Sequence, residues 1–253
     1  MLLQHYTLCA GRSGAAAAEK SGKEDFPGDA IAVVSLSGVL TRDSWWRGIP
    51  TTYLVSLLRD IESSGEYFAT ILDINSPGGE APAVPPVLDY LTDTSRTMRV
   101  YSSVEMAASA AYWIAVYTDG IYLQNDITAF VGSIGTMMHY ENFDPFYEKQ
   151  GVVIEDIYPD ESPLKNAAYR AAQKGDYGPY KKMLSELAVK FQSAVRSRRP
   201  EVVDDALKGD IFTGSAGIEA GLADGIMPLT ALIEKIQASA SLRNTLNNPN
   251  IEN

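Results

Sequence analysis

The stretch ATILDINSPGG, residues 69–79, decides the fold. Its first six residues are mostly apolar or β-branched, and they predict a buried strand. The strand runs into Gly78 and Gly79, which have no side chains and can turn backbone N–H groups towards a ligand. Further along the chain Ser109 lies among small residues, and a serine on a sharp strand-to-helix turn can be a nucleophile. Together these two features indicate acyl-transfer chemistry.

Short apolar runs alternate with helical patterns on both sides of this stretch. The predicted strands and helices, in chain order, are strand 31–36, helix 51–63, strand 69–74, helix 81–91, strand 99–102, helix 107–117 and strands 120–123 and 127–131. Such alternation predicts repeated βαβ units, so we expect an α/β fold with a mostly parallel, buried sheet and the helices outside.

The pattern becomes less regular after this point. Residues 137–140 and 152–157 are predicted as strands, with a helix at 143–150 between them. A long amphipathic pattern at 177–198 predicts a helix for packing or subunit contact, and a last helix is expected at 229–238.

Composition suggests where the compact domain begins and ends. Residues 1–28 mix small and charged residues without an apolar repeat and are expected to form a flexible N-terminal arm. The compact domain is predicted at 29–240. The Asn-rich residues 241–253 have little to bury and are expected to form a loose tail.

Charge and composition exclude several classes of protein. The chain has 253 residues, 21 basic against 32 acidic side chains and a net charge of −11, which opposes binding to nucleic acid or an anionic membrane. No apolar run is long enough for a membrane span, and the N-terminus does not resemble a signal peptide. The single cysteine, Cys9, cannot form an internal disulfide, and no cluster has metal-site spacing. We therefore expect a cytoplasmic protein without a cofactor or metal.

Amide hydrolysis needs a nucleophile and donors that face the developing oxyanion. Ser109 is the candidate nucleophile, although a serine among alanines can also serve close helix packing. The N–H groups of Gly78 or Gly79, with that of Ala110, are the candidate oxyanion donors. A plain tight turn would explain the same glycines.

The general base is open on these grounds alone. Of the two histidines, His5 lies in the predicted arm and His139 lies in a predicted strand. Lysine is the alternative, because a neutral amine can accept a serine proton when burial disfavours the ammonium form. Lys165 follows the predicted strand 152–157 in a loop from which it could reach a cleft.

The order of motifs resembles the signal peptide peptidase A family, which includes the minor capsid protein C proteases of tailed phages. Its fold is similar to those of the Clp protease proteolytic subunit and the crotonases. The matching pieces are NSPGG at 75–79, ASAAYWIA at 108–115, VGSIGT at 131–136, Lys165, and FTG at 212–214 through GLADG at 221–225. They cover roughly residues 30 to 230 in the family's order.

The resemblance implies a role for each matching residue. Ser109 would be the nucleophile, Lys165 the general base, and Ser133 the residue that holds the lysine. Where the family usually has two glycines after the nucleophile, this chain has Ala110 and another alanine. The segment before the lysine also departs from the phage members, which leaves Lys174 as the next candidate base.

The resemblance implies a serine endopeptidase with a Ser/Lys dyad that cleaves extended peptide segments. It would be a phage or prophage head-maturation protease acting on scaffold or portal proteins, or a soluble signal peptide peptidase A-like enzyme, in the host cytoplasm or the phage prohead. Relatives assemble into rings or domes, so a homo-oligomer is expected. The alternatives are an inactive assembly protein of the same fold, a Clp-like Ser/His peptidase using His139, and a crotonase-like acyl-CoA enzyme.

Overall fold

The computed structural model describes residues 3–9, 30–44 and 46–246. These residues form two compact units. The first contains the described chain up to Ile134 and again from Gln192, and the second is Gly135–Phe191. The compact domain predicted at 29–240 therefore consists of two units.

All strands lie in the first unit. They are β1 Leu3–Cys9, β2 Ala30–Ser37, β3 Leu40–Thr41, β4 Ile49–Pro50, β5 Tyr67–Ser76, β6 Arg99–Ala108, β7 Ile121–Leu123, β8 Phe130–Gly132, β9 Ile211–Thr213 and β10 Gly225–Ile226. The α-helices are α1 Thr51–Ser63, α2 Val84–Leu91, α3 Ala110–Ala115, α4 Asp144–Lys149, α5 Ala167–Gln173, α6 Gly178–Arg198, α7 Ser215–Glu219 and α8 Leu229–Leu246, with 3-10 turns at Ala81–Ala83 and Asp204–Lys208.

The main sheet is mostly parallel. Its strand order is β1-β2-β5-β6-β7-β10, and β8 pairs in parallel with β6 and antiparallel with β9. The short strands β3 and β4 form a separate parallel pair. The predicted α/β class with a mostly parallel sheet is confirmed.

The strand β6 changes its neighbour along its length. Its residues up to Val104 pair with β7, and those from Met106 to Ala108 pair with β8. Against β5 the register shifts at the same place, because Ile74 pairs with Val104 but Asn75 pairs with Met106. Glu105 is therefore an extra residue in β6, a β-bulge.

The core of the first unit follows from the strand composition. The strands β2 and β5 are almost continuously apolar, as expected for strands covered on both faces. On one face Ile31, Val33 and Ile71 pack in a cluster with Leu232 and Ile236 of α8.

Both predicted terminal regions include regular structure. Within the predicted flexible arm, β1 pairs with β2 along its whole length, because a parallel edge strand gains backbone hydrogen bonds even with a mixed sequence. At the other end α8 extends to Leu246, beyond the predicted helix 229–238 and into the predicted loose tail. Residues 10–29 and 247–253 lie outside the described residues, so the rest of those predictions stays untested.

The second unit contains α4, α5 and the first part of α6. It includes a partly exposed tyrosine cluster, in which the Tyr140 ring lies 5.9–6.4 Å from the rings of Tyr169, Tyr177 and Tyr180. The predicted helix 143–150 is confirmed as α4.

Two predicted strands of this unit are wrong. Residues 137–140 and 152–157 have no strand pairing. Their apolar side chains are exposed instead: Val153 is 79% and Ile157 is 90% exposed. Apolar runs predict burial, but they do not say whether the chain's own core or another molecule provides it. None of the described helices is both long and apolar enough to cross a membrane.

Candidate active site

Ser109 lies at the turn from β6 into α3. Its φ of 52° and ψ of −123° place it in a region that residues with a side chain rarely adopt. Hydrogen bonds on both sides hold this conformation. The Ser109 N–H donates to the Gly132 carbonyl at 2.9 Å, and its carbonyl accepts from the Trp113 N–H at 2.9 Å. The predicted sharp strand-to-helix turn is present, and Ser109 is partly exposed.

Gly78 is packed against this turn. Its φ is +95°, and a Cβ atom built on it would lie 2.8 Å from Ser109 Cβ and 2.9 Å from the Ala110 nitrogen. Real Cβ atoms do not approach so closely. The close approach of the two backbones therefore requires glycine at this position.

The peptide groups around Gly78 point in definite directions. Its N–H donates to Ser76 Oγ at 3.1 Å, and its carbonyl accepts from the Leu40 N–H at 2.8 Å. In a trans peptide the carbonyl and the following N–H point in opposite directions, so the Gly79 N–H points away from Leu40. Within the described residues this N–H has no hydrogen-bond partner.

Ala110 begins α3, and the first N–H groups of a helix have no partner within the helix. The Ala110 side chain is buried. A buried tyrosine of the same helix anchors it: Tyr112 Oη donates to the Leu222 carbonyl at 3.0 Å, and burial raises the pKa of Tyr112. The Ala110 N–H is therefore held beside Gly78 on a fixed helix end.

Ser133 follows the strand that pairs with the end of β6. Gly132 lies opposite Ala108 in that pairing and has a φ of +125°. Ser133 also has a positive φ, 55°, and its N–H donates to the Asp210 carbonyl at 2.7 Å. The first unit thus brings Ser133 close along the backbone to the nucleophile candidate, together with both glycines and Ala110.

The candidate bases belong to the second unit. Lys165 lies in a turn closed by its N–H to the Ser162 carbonyl at 3.0 Å, and Lys174 follows α5. Both lysine side chains are exposed. His139 is also exposed, and its Nε2 lies 3.1 Å from a carboxylate oxygen of Glu141.

Sequence reasoning missed the role of Ser76. It is fully buried at the end of β5, and its hydroxyl oxygen is the partner of the Gly78 N–H. The available signal was the Ser-Pro-Gly order, because serine side chains often accept from the N–H two residues later in turns. Among the described residues no group of histidine, cysteine and acidic side chains is arranged to hold a metal ion.

Comparison with known proteins decides the family. The family described as Peptidase family S49 matches residues 93–243, more than half of the chain. The chain belongs to peptidase family S49. The predicted resemblance is therefore confirmed, and the members of this family are serine peptidases, in agreement with the predicted enzyme class.

Curated relatives agree with this assignment. A putative protease of Methanocaldococcus jannaschii is 26% identical over 196 residues, covering 76% of this chain and 62% of the relative. The chloroplastic serine protease SPPA of Arabidopsis thaliana is 24% identical over 229 residues, covering 85% of this chain and 33% of the relative. Capsid assembly protease C of Escherichia phage lambda is 26% identical over 251 residues, covering 88% and 54%. This S49 chain spans between about a third and three fifths of the length of these relatives.

Solved structures share the fold. Two structures of the 1510-N membrane-bound stomatin-specific protease match with a TM-score of 0.52, at 17% and 16% identity. Each match includes 81% of this chain, together with 78% of the first solved chain and 83% of the second. One is a lysine-to-alanine variant in complex with a substrate peptide, and the other is a serine-to-alanine variant.

Proposed function

We propose that this S49 protein is a serine endopeptidase in which Ser109 is the nucleophile and Lys165 is the general base. The observation that carries the proposal is the turn at Ser109, with its φ of 52° and the backbone of Gly78 packed against it. Strained backbone at a serine that begins a helix is a feature of nucleophile turns.

The oxyanion would be bound by the N–H groups of Gly79 and Ala110. Both are donors without a partner in the described residues, and both come from segments that contact the Ser109 turn. Gly78 is not one of the proposed donors, because its own N–H already donates to Ser76 Oγ. Its lack of a side chain instead allows its backbone to pack against Ser109. Preorganised donors of this kind are worth about 10²- to 10³-fold each in rate.

The chemistry would proceed in two proton-balanced steps. Lys165 takes the Ser109 hydroxyl proton as Oγ bonds to the scissile carbonyl carbon, and it returns the proton to the leaving amine as the C–N bond breaks. A water molecule then attacks the carbonyl carbon of the acyl-enzyme as the Lys165 amine takes its proton. Lys165 returns this proton to Ser109 Oγ as the bond between Oγ and the acyl carbon breaks, which releases the carboxylic acid product. Ser133 would orient the amine by a hydrogen bond.

The choice of base rests on family likeness and on the chain's other candidates. Both serine-to-alanine and lysine-to-alanine variants of the structurally similar stomatin-specific protease were studied, which supports a serine and lysine pair here. His139 is exposed and pairs with Glu141, so a Clp-like Ser/His mechanism is less favoured. Lys174 is the second lysine to test.

Assembly would shelter the proposed base. Lys165 is exposed in the single chain, next to Leu164, whose side chain is 82% exposed. A base needs a neutral amine, which removal from water favours. We propose that copies of the chain form a homo-oligomer in which a neighbouring copy covers the surface around Leu164. The helix α6 would be a further contact.

The substrates would be extended peptide segments. The outward N–H of Gly79 lies on a stretch that already pairs with Leu40, so a peptide could add to it in the manner of a strand. The likeness to capsid assembly protease C of phage lambda and to the head-tail preconnector protein of phage P21 favours a role in phage or prophage head maturation. In that role it would act in the host cytoplasm or the prohead; the other role is that of a signal peptide peptidase A-like enzyme.

A fluorophosphonate probe tests the nucleophile and the base together. The wild-type oligomer should be labelled, and Ser109→Ala should not be labelled. Lys165→Met should lower labelling at least about 10²-fold, as expected for loss of a general base, without a change in thermal unfolding. Lys174→Met is the matched comparison, because it removes another exposed lysine of the same unit. A larger loss of labelling in Lys174→Met than in Lys165→Met would assign the base to Lys174 instead. Absence of labelling in the wild type would contradict the proposal.

One observation favours a second function. The alanine at position 110 narrows the space beside the nucleophile compared with glycine, which would suit an inactive assembly protein of the same fold. Processing of partner proteins that is unchanged in Ser109→Ala would support that structural role.

A further inference from the structure

We propose that Ser76 is a positioning residue that sorts the two glycine N–H groups, binding that of Gly78 and leaving that of Gly79 for the oxyanion. This inference rests on the proposed peptidase function. It adds a residue that would not touch the substrate but would act through the backbone of the glycine turn.

The first step is the burial of Ser76. Its residue is 0% exposed at the end of β5, where it pairs with Ala107 of the nucleophile strand. A buried hydroxyl is unfavourable unless it makes hydrogen bonds. The bond that Ser76 Oγ accepts, from the Gly78 N–H at 3.1 Å, is itself buried.

The second step is that two bonds fix both peptide planes around Gly78. Ser76 Oγ holds the plane before Gly78 through its N–H, and the Leu40 N–H holds the plane after it through the carbonyl. The two planes meet at Gly78, where φ is +95°. Because the second plane also carries the Gly79 N–H, the two bonds together set the direction of that donor.

Loss of the Ser76 hydroxyl should release the glycine turn. In Ser76→Ala the buried Gly78 N–H would lose its partner, and the turn would be free to rotate to find another. The Gly79 N–H would then spend part of its time away from the oxyanion position. Since that oxygen is charged only in the transition state, the rate of the chemical step should fall while substrate binding changes little.

The experiment compares Ser76→Ala with Ser103→Ala by steady-state kinetics on a peptide substrate of the wild-type oligomer. Ser103 is also 0% exposed, lies on the neighbouring strand β6, and its Oγ has no hydrogen-bond partner among the described residues. Ser76→Ala should lower kcat by about 10- to 100-fold, part of the loss seen when an oxyanion donor is removed, with KM within about twofold. Ser103→Ala should keep both constants near the wild-type values.

Two further measurements distinguish the proposed positioning role from a folding defect. Affinity for a peptide boronate, which forms a tetrahedral adduct, should fall in parallel with kcat in Ser76→Ala. The variant Ser76→Cys keeps a polar atom at the same place, but sulfur is a larger and weaker acceptor than oxygen, so its kcat should lie between those of Ser76→Ala and the wild type.

The outcomes separate this inference from the proposed function. If the wild type cleaves the peptide, and both Ser76→Ala and Ser76→Cys cleave it as fast as the wild type does, the positioning role is overturned and the peptidase function stands. If KM rather than kcat changes, the positioning role is likewise overturned. If the wild type neither cleaves the peptide nor reacts with the boronate, the proposed function fails and takes this inference with it.

Discussion

The two compact units of this S49 protein differ in how completely they bury their apolar residues. Around Ser109 the first unit is closed: Ala107, Ala110 and Tyr112 are buried, and backbone hydrogen bonds fix the turn. The second unit leaves large apolar side chains in solvent, among them Val153, Ile157 and Leu164. A single chain can hold the proposed nucleophile and oxyanion donors in place, whereas the segment with the proposed base has a surface suited to another molecule.

The largest effect is expected from Gly78→Ala, in the tightly packed backbone around Ser109. The new methyl group would lie 2.6 Å from the Ala108 carbonyl oxygen and 2.8 Å from Ser109 Cβ, so the backbone would have to move. We expect the peptidase rate to fall by about 10²-fold or more, because both proposed oxyanion donors would shift. Gly65→Ala is the control, since Gly65 also has a positive φ, +68°, but open space around it. Equal activity of the two variants would show that the close packing does not matter.

The next largest effect should come from the second unit, which leaves large apolar side chains exposed. Ile157→Asp places a charge at a side chain that is 90% exposed, so the folding stability of the chain should change by only about 0.5 kcal/mol or less. The proposed homo-oligomer should dissociate more readily, with a dissociation constant raised by about tenfold or more as measured by sedimentation velocity. Ile127→Asp is the matched variant in the first unit, where the side chain is 84% exposed, and it should assemble normally. An unchanged oligomer in Ile157→Asp would argue against an interface at this surface.

A third prediction concerns the amino end of the nucleophile strand. Burial would raise the pKa of Asp119, but hydrogen bonds from the Val100 N–H and from the guanidinium groups of Arg99 and Arg96 lower it overall. The carboxylate therefore stabilises the fold above its unfolded-state pKa, and this contribution is lost as pH falls through the lower folded-state pKa. Asp119→Asn should cost about 1 to 2 kcal/mol near pH 7, a modest value because Arg99 is largely exposed to solvent.

Urea unfolding of both proteins checks this. The difference between the wild type and Asp119→Asn should shrink as the pH is lowered below about 4, near the unfolded-state pKa. A difference that is constant with pH would contradict the electrostatic explanation.

The smallest predicted effect compares a tyrosine from each unit. Tyr112→Phe removes the donor to the Leu222 carbonyl and should destabilise the chain by about 1 to 2 kcal/mol. The buried Tyr140 hydroxyl has no partner among the described residues, so Tyr140→Phe should be neutral or slightly stabilising. Thermal unfolding of the two variants should therefore shift in different directions or by clearly different amounts.

The sequence predicted best what short stretches determine. The apolar run of β5, its two glycines and the small-residue turn at Ser109 all act over a few residues, and the parallel sheet follows from their alternation with helices. The family resemblance then located the remaining site residues by motif. The roles of these residues are proposals that rest on the motif order.

The predictions that failed depend on partners distant in the chain. Residues 137–140 and 152–157 have apolar patterns suited to strands, but no neighbouring strand is available to them. Similarly, nothing in the Gly-Gly sequence distinguishes the two N–H groups. That distinction comes from Ser76 Oγ on one side and Leu40 on the other.

The bulge at Glu105 has a consequence for how such a chain can evolve. Between this extra residue and Ser109 the strand alternates its faces, so gaining or losing one amino acid there would send every later side chain to the opposite face. Homologues could therefore exchange side chains in this interval freely, but they should tolerate insertions and deletions only before the bulge or in pairs. An even spacing, which is four positions in this chain (109 − 105 = 4), would then be a stronger mark of a working nucleophile than the identity of the residues between.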